Sequence, residues 1–253
     1  MVDKTIDYYD NPDFNYRRFW ENRQYEDQAE RIALVKLLSL IKNKKTKSII
    51  DIGAGFGRLV PVYTSLFKNC LLVEPSEKLL AEAKKNNQKY DNLTFKESYV
   101  EKLPVEDESF EVALMVRVAH HLEDLNTMIK EVQRVLKPNG FFIMEYANKR
   151  HLKNLLEAFF KRDWQNFANH TPEKIKTRPT SFPFFNYHPN QIRTLLLSHD
   201  FEILKRLSVS NFRFPLIKKI LPVKFLLFLD KICSPVASYY RSGPSIFVLA
   251  QKK

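Results

Sequence analysis

The chain has 253 residues, 44% of them hydrophobic, with a formal net charge of +12, and fits one domain with elaborations around a sizeable core. Its two cysteines, Cys70 and Cys233, lie far apart without metal-ligand spacing, which argues against a disulfide framework or a zinc site and fits a reducing, cytoplasmic setting. The opening Met1-Val2-Asp3-Lys4 lacks the apolar core of a signal peptide, no run reaches the ~18 apolar residues of a membrane span, and the basic balance favours anionic partners or a lysine-rich solvated surface.

Residues 1–23 are polar and aromatic, with Tyr8, Tyr9, Tyr16, Phe19 and Trp20 among charges. Tyr25, Ala29, Ile32, Ala33, Leu37, Leu40 and Ile41 then recur at helical spacing. Ser48–Ile52 is expected to be the first strand, Phe56–Phe67 a helix with Pro61 tolerated near its start, and Cys70–Glu74 the second strand. Ser76 is placed to cap a helix over Glu77–Asn86. Short strands follow at Leu93–Lys96 and Glu111–Val116, the latter almost continuously apolar as a central parallel strand requires. Leu125, Met128, Ile129, Val132, Val135 and Leu136 mark a helix that Lys137-Pro138-Asn139-Gly140 should stop before a fifth strand, Phe141–Ala147. This alternation predicts an α/β fold, a doubly wound parallel sheet with helices on both faces.

The second half is looser. A helical piece near Leu152–Phe160 precedes a loop rich in Pro, Asn and Phe, including Pro179, Phe182, Phe184 and Phe185. Asn190–Ser198 reads as a helix, Phe201–Val209 and Ser245–Ala250 as the last strands, and Ser210–Pro244 as an insertion between them.

Three of the five glycines fall in Asp51-Ile52-Gly53-Ala54-Gly55-Phe56-Gly57, directly after the first strand. Glycine removes the Cβ clash where backbone turns sharply or lies against a ligand. A dinucleotide site wants G-x-G-x-x-G with the last glycine beside the pyrophosphate. Here that position is Arg58, and the third glycine comes one residue early. Asp51 suits a cofactor with a cationic end, whose ammonium a carboxylate can hold directly or through water. The pattern D-x-G-x-G-x-G resembles motif I of the class I S-adenosylmethionine (SAM)-dependent methyltransferases.

Two further stretches resemble the small-molecule subgroup related to the quinone C-methyltransferases (methyltransferase type 11). Leu103-Pro104-Val105-Glu106-Asp107-Glu108-Ser109-Phe110-Glu111 is similar to its L-P-F-x-D-x-S-F-D stretch, and Val116-Arg117-Val118-Ala119-His120-His121-Leu122-Glu123-Asp124 to its V-L-H-H-L-x-D signature. The resemblance implies a mostly parallel seven-stranded sheet of order 3-2-1-4-5-7-6. It implies SAM as cofactor, with Asp51, Gly53, Ala54, Gly55, Gly57 and Arg58 around the methionine end. Glu74 at the end of the second strand, followed by Pro75, would take the ribose hydroxyls, since one carboxylate accepts two hydroxyl hydrogen bonds. An acid often meets the adenine amino group in this subgroup. Here that position holds Tyr99, which would stack on or bond the ring, with the Val100 N–H beside it.

Val116 and Arg117 would face the methyl group, with Arg117 available to a carboxylate, and His120 is the candidate general base, ahead of His121. Arg23 and Tyr25 are expected to reach the cofactor or acceptor from a folded-over N-terminal segment. Neither an Asx-Pro-Pro-aromatic tetrapeptide nor a Pro-Cys nucleophile is present, which argues against nucleic-acid bases as acceptors.

The expected organisation is one methyltransferase domain over 1–253. It comprises a helical cap (1–45), a SAM-binding core (46–147) and acceptor-side insertions at 149–188 and 210–244. Aromatics at 182–188 suggest an apolar or planar acceptor. The lysine-punctuated apolar run within 212–240 suggests a lid, a dimer contact or a peripheral membrane contact. A catalytically silent SAM-binding or membrane-peripheral module is the alternative function.

Overall fold

A computed structural model describes residues 9–11, 13–175 and 183–253. Tyr8, Pro179 and Phe182 lie outside these residues. The chain runs through α1 (Tyr16–Glu21), α2 (Gln24–Leu38), β1 (Ser48–Ile52), α3 (Val60–Tyr63), β2 (Asn69–Glu74), α4 (Glu77–Asn86), β3 (Leu93–Glu97), β4 (Phe110–Met115), α5 (Asn126–Val135) and β5 (Leu136–Ala147). It continues through α6 (Leu152–Lys161), α7 (Trp164–Ala168), β6 (Glu173–Ile175), β7 (Phe184–Asn186), α8 (Pro189–Ser198), β8 (Phe201–Val209), α9 (Pro215–Ile220), α10 (Val223–Tyr240) and β9 (Ser245–Lys252).

Seven strands form one sheet in the order β3-β2-β1-β4-β5-β9-β8. With β8 and β9 counted as the sixth and seventh strands of the core, this is the expected 3-2-1-4-5-7-6. The first five strands are parallel, and β9 runs antiparallel between β5 and β8. Alternate strand residues feed two separate layers, as the two-residue period of a strand dictates. Ile50, Ala113 and Phe142 pack with Met128, Ile129 and Val132 of α5. Ile49, Val112 and Ile143 pack on the other face with Leu34, Leu37 and Leu38 of α2. Being buried on both faces, β1 and β4 must be apolar almost throughout.

Three local expectations are corrected. The helix expected over Phe56–Phe67 shrinks to α3 and a 3-10 turn, because the positive φ of Gly57 (75°) keeps the preceding residues out of the helix. Lys137-Pro138-Asn139-Gly140 ends α5 but is absorbed into the start of β5 as an irregularity, with Asn139 at φ 62°. Residues 149–188 also contain a small antiparallel pair, β6 with β7, that no alternation in the sequence announced. Ser76 caps α4 as expected, accepting the Leu79 N–H at 3.1 Å.

Candidate cofactor and acceptor site

Where β1 ends, the N–H groups of Gly53 and Ala54 both donate to the Val73 carbonyl, at 2.8 and 3.1 Å. This ties the glycine-rich turn to β2 and sends the backbone sharply upward. Gly53 sits at φ 70°, and a Cβ there would lie 2.2 Å from Val118 Cγ2. Only glycine fits both the backbone and the space.

Above the turn is a cavity of about 340 Å³, within the usual size range of small-molecule and cofactor sites. Its floor is Asp51 to Phe56, with Arg58 and Leu59 beyond; one side is Glu74-Pro75-Ser76 and Ser98 to Glu101. The opposite side is Val116-Arg117-Val118 with His121 to Asp124, and Tyr9, Tyr16, Pro183 and Phe185 close over it.

Two buried carboxylates face this space. Asp51 accepts the Tyr63 hydroxyl at 2.7 Å, and burial pushes its carboxyl up to about 6 in spite of that bond. Glu74 accepts the Gly55 N–H at 2.8 Å and the Ser76 N–H at 3.2 Å. Burial pushes its carboxyl up to about 7, although both N–H donors pull the other way. Buried carboxylates with raised pKa and no ion pair among the described residues suit a ligand that supplies positive charge and hydroxyl donors. A sulfonium nucleoside with an amino-acid ammonium and a ribose diol has both.

A family described as a methyltransferase domain matches residues 50–144, the stretch that builds this floor and both walls. The uncharacterized methyltransferase YcgJ of Bacillus subtilis is 31% identical over 98 residues, 38% of this chain and 39% of that protein. Its crystal structure aligns with a TM-score of 0.59 at 16% identity, covering 89% of this chain and 99% of that one. Residues 50–144 carry a methyltransferase domain, and the chain has the class I methyltransferase fold.

The demethylmenaquinone methyltransferase of Chlorobaculum parvum is 29% identical over 180 residues, 69% of this chain and 70% of that protein. The chain thus spans from about two-fifths to seven-tenths of the length of these two curated relatives. The [4+2]-cyclase SpnF aligns with a TM-score of 0.61 at 17% identity, over 89% of this chain and 82% of that one. The fold therefore accommodates reactions other than methyl transfer, and the site's own residues carry the functional argument.

In this methyltransferase domain the predicted residues divide into three groups. Asp51, Gly53, Ala54, Gly55, Arg58, Glu74, Pro75, Tyr99, Val100, Val116 and Arg117 all line the cavity. Gly57 does not line it; a Cβ there would lie 2.4 Å from Asn87 Nδ2, so its task is to let the turn pack on α4. Arg23 and Tyr25 also stay outside the lining. The Arg23 guanidinium lies over the Phe19 ring at 4.0 Å, and the fully buried Tyr25 accepts the Phe212 N–H through its hydroxyl at 3.1 Å. The N-terminal residues that line the cavity are Tyr9 and Tyr16, which precede the stretch 17–25 expected to reach it. Their aromatic character was visible in the sequence; their aim was not.

The histidines exchange places. His121 lines the cavity and hydrogen-bonds the Tyr9 hydroxyl at 3.3 Å. His120 is turned beneath it, its ring stacked on Phe184 at 4.4 Å, and its Nδ1 finds no hydrogen-bond partner among the described residues. Burial, then the neighbouring His121 and Arg117, lowers the His120 imidazole well below its ordinary value. Burial pushes His121 down to about 4. Burial disfavours the charged form of both rings, and His121 is the one that lines the cavity.

Sequence reasoning missed Glu30. This fully buried carboxylate of α2 ties Arg58 (2.6 Å) to Arg117, which reaches it through Nε at 2.8 Å and through Nη2. Burial alone would raise its carboxyl, but the Arg117 and Arg58 guanidiniums outweigh burial and hold it below the usual carboxylate range. Arg58 also pairs with Asp27 and lies 3.7 Å over the Trp20 ring. The positive charge expected to greet a ligand carboxylate is largely engaged inside the protein. The only hint in the sequence was three acids, Glu26, Asp27 and Glu30, within one otherwise amphipathic helix.

Proposed function

We propose that this chain transfers a methyl group from SAM to an apolar, aromatic or lipid-like small molecule. The observation that carries the reading is the pair of buried carboxylates, Asp51 and Glu74, at the ends of neighbouring strands β1 and β2 with the glycine turn between them. Bound SAM supplies a methyl carbon made electrophilic by its sulfonium leaving group. Asp51 holds the ammonium end and Glu74 the ribose hydroxyls. Pro75, Tyr99 and Val100 flank the adenine, and Val116 and Arg117 border the methionine. Tyr9 and Tyr16 close the cavity against water, which favours transfer by alignment and desolvation.

On the acceptor side, His121, Leu122, Pro183 and Phe185 present a mainly apolar wall. This wall and the activity named for the Chlorobaculum relative both favour a quinone-like or comparably planar acceptor. Weakly basic His121 suits orienting such an acceptor better than deprotonating it. We assign 1–45 to a cap, 46–147 to the SAM-binding core, and 149–188 and 210–244 to acceptor-side insertions. We also assign peripheral membrane contact to 212–240. The free thiols Cys70 and Cys233 favour the cytoplasm.

The test is turnover with methyl-labelled SAM against the lipid-extractable and aqueous fractions of a cell extract, beside calorimetry with SAM and its demethylated product. Label appearing in the lipid-extractable fraction is the expected result. Binding without label transfer to either fraction would identify a silent module, and absence of binding would overturn the cofactor assignment.

A further inference from the structure

An amphipathic surface helix normally hides its apolar stripe and shows water its polar one. Two helices of this chain do the reverse. On α10, Phe225, Phe228, Ile232, Val236 and Tyr239 follow helical spacing and are all exposed, Tyr239 at 80%, while Leu226 and Asp230 face inward. On α6, Leu152, Leu155, Leu156, Phe159 and Phe160 do the same, Phe160 at 79%. Leu216 and Ile220 of α9 are about three-quarters exposed. The Leu152 N–H donates to the Ser242 carbonyl at 3.0 Å, so the first turn of α6 meets the chain just past α10 at one corner of the molecule. Scattered exposed hydrophobics need no explanation; consecutive turns of them along two helices do.

We propose that this face docks on an anionic lipid bilayer, with α6, α9 and α10 lying in the interface and the apolar rings below the headgroups. The charge decides the occupant. From 212 to 240 the exposed charges are Lys219, Lys224 and Lys231, since Lys218 pairs with Glu26 at 2.5 Å and Arg213 is partly buried, and the one acid of the segment is Asp230. Asp230 is buried and accepts the Ser210 and Asn211 N–H groups, both at 3.0 Å, so it neutralises nothing at the surface. Along α6 or just after it Lys153, Lys161 and Arg162 are exposed against Glu157, which pairs with Lys153 at 3.6 Å, and Asp163, leaving a smaller basic excess there. A second copy of the chain would bring two such rims together at a repulsive cost, whereas anionic headgroups complement them. Among the described residues no helix is long and apolar enough to cross a membrane, so the contact is a surface one. The inference extends the lipid-like acceptor reading, since a chain held at the interface meets its acceptor there. Lipid binding can be measured without cofactor or turnover, so either reading can fail alone.

Flotation of the full chain with phosphatidylcholine vesicles, with and without phosphatidylglycerol, tests it. The chain should float with the anionic vesicles and much less with neutral ones. Phe228→Ser/Ile232→Ser/Val236→Ser on α10 and Phe159→Ser/Phe160→Ser on α6 should each cut partitioning on the order of tenfold. These positions are exposed, so melting temperatures should hold. Lys224→Gln and Lys231→Gln should each cost on the order of fivefold on anionic vesicles and little on neutral ones. A chain that stays unbound, or variants that partition like the parent, would overturn the proposal. So would a dimer in sedimentation that the α10 variant splits, because a second copy would then be the occupant.

Discussion

Asp51 and Glu74 set how the site responds to pH. Both carboxyls bind their protons more tightly folded than unfolded, with pKa values raised to about 6 and about 7 by burial. The ligand-free fold therefore loses some stability as pH rises from about 4 through these values, because ionised carboxylates are costly where they lie. A ligand ammonium and ribose hydroxyls favour the ionised forms, so the sign for binding is opposite: affinity rises with pH across the same window. Calorimetry near pH 6 in buffers of different ionisation enthalpy should show net proton release. Affinity should be on the order of tenfold weaker at pH 5 than at pH 8. Affinity that ignores pH would show that neither carboxylate meets the ligand.

The glycines allow a sharper comparison. At Gly53 an added methyl collides with Val118 at 2.2 Å, whereas at Gly55 it makes an ordinary 3.6 Å contact with Tyr16. Both positions have positive φ, which by itself costs about 1–2 kcal/mol for an L side chain. Gly53→Ala should lower unfolding free energy by more than this backbone cost and Gly55→Ala by about that cost. Equal losses in denaturant titrations would contradict the clash.

Among the elements, α2 carries more than its apolar stripe suggests. Glu30 braces the glycine turn through Arg58 and the end of β4 through Arg117. Removing one partner of a buried ion pair leaves charge uncompensated, typically at about 3–5 kcal/mol. Glu30→Ala should lower stability by that amount, and a melting temperature close to the parent's would show that the two arginines find water instead. The brace was illegible in the sequence because its partners are 28 and 87 residues away and meet only when the helix lies across the strand ends. Asp51 and Glu74 were legible because they lie at or next to the C-terminal ends of parallel strands, where this fold opens its crevice. His120 and His121 are adjacent in a 3-10 turn, and neighbouring side chains there point differently, so the motif named the pair but not the member facing the cavity.

At the scale of the whole molecule, the cavity is shared between the sheet and the N-terminal segment. Tyr9 and Tyr16 touch the cavity, while Lys78 of α4 holds the Asn11 and Phe14 carbonyls at 2.8 Å each. A ligand that fills the cavity should therefore tie the cap to the core. Limited proteolysis within residues 9–23 should slow when the demethylated product of SAM is added, and global stability should rise by about 2.7 kcal/mol at a hundredfold excess over Kd. Cleavage unaffected by ligand would separate the cap from the site.

The sequence by itself determined the parallel core, the glycine turn and the two carboxylates, because strand periodicity, backbone permissiveness and strand-end position are local properties that residue order records. Only the tertiary structure decided which aromatic rings close the cavity, that Glu30 engages both arginines, and that α6 and α10 turn their apolar stripes outward. Those outcomes depend on how helices pack across a sheet. Helical spacing tells that a stripe exists, but not which side of it meets the core.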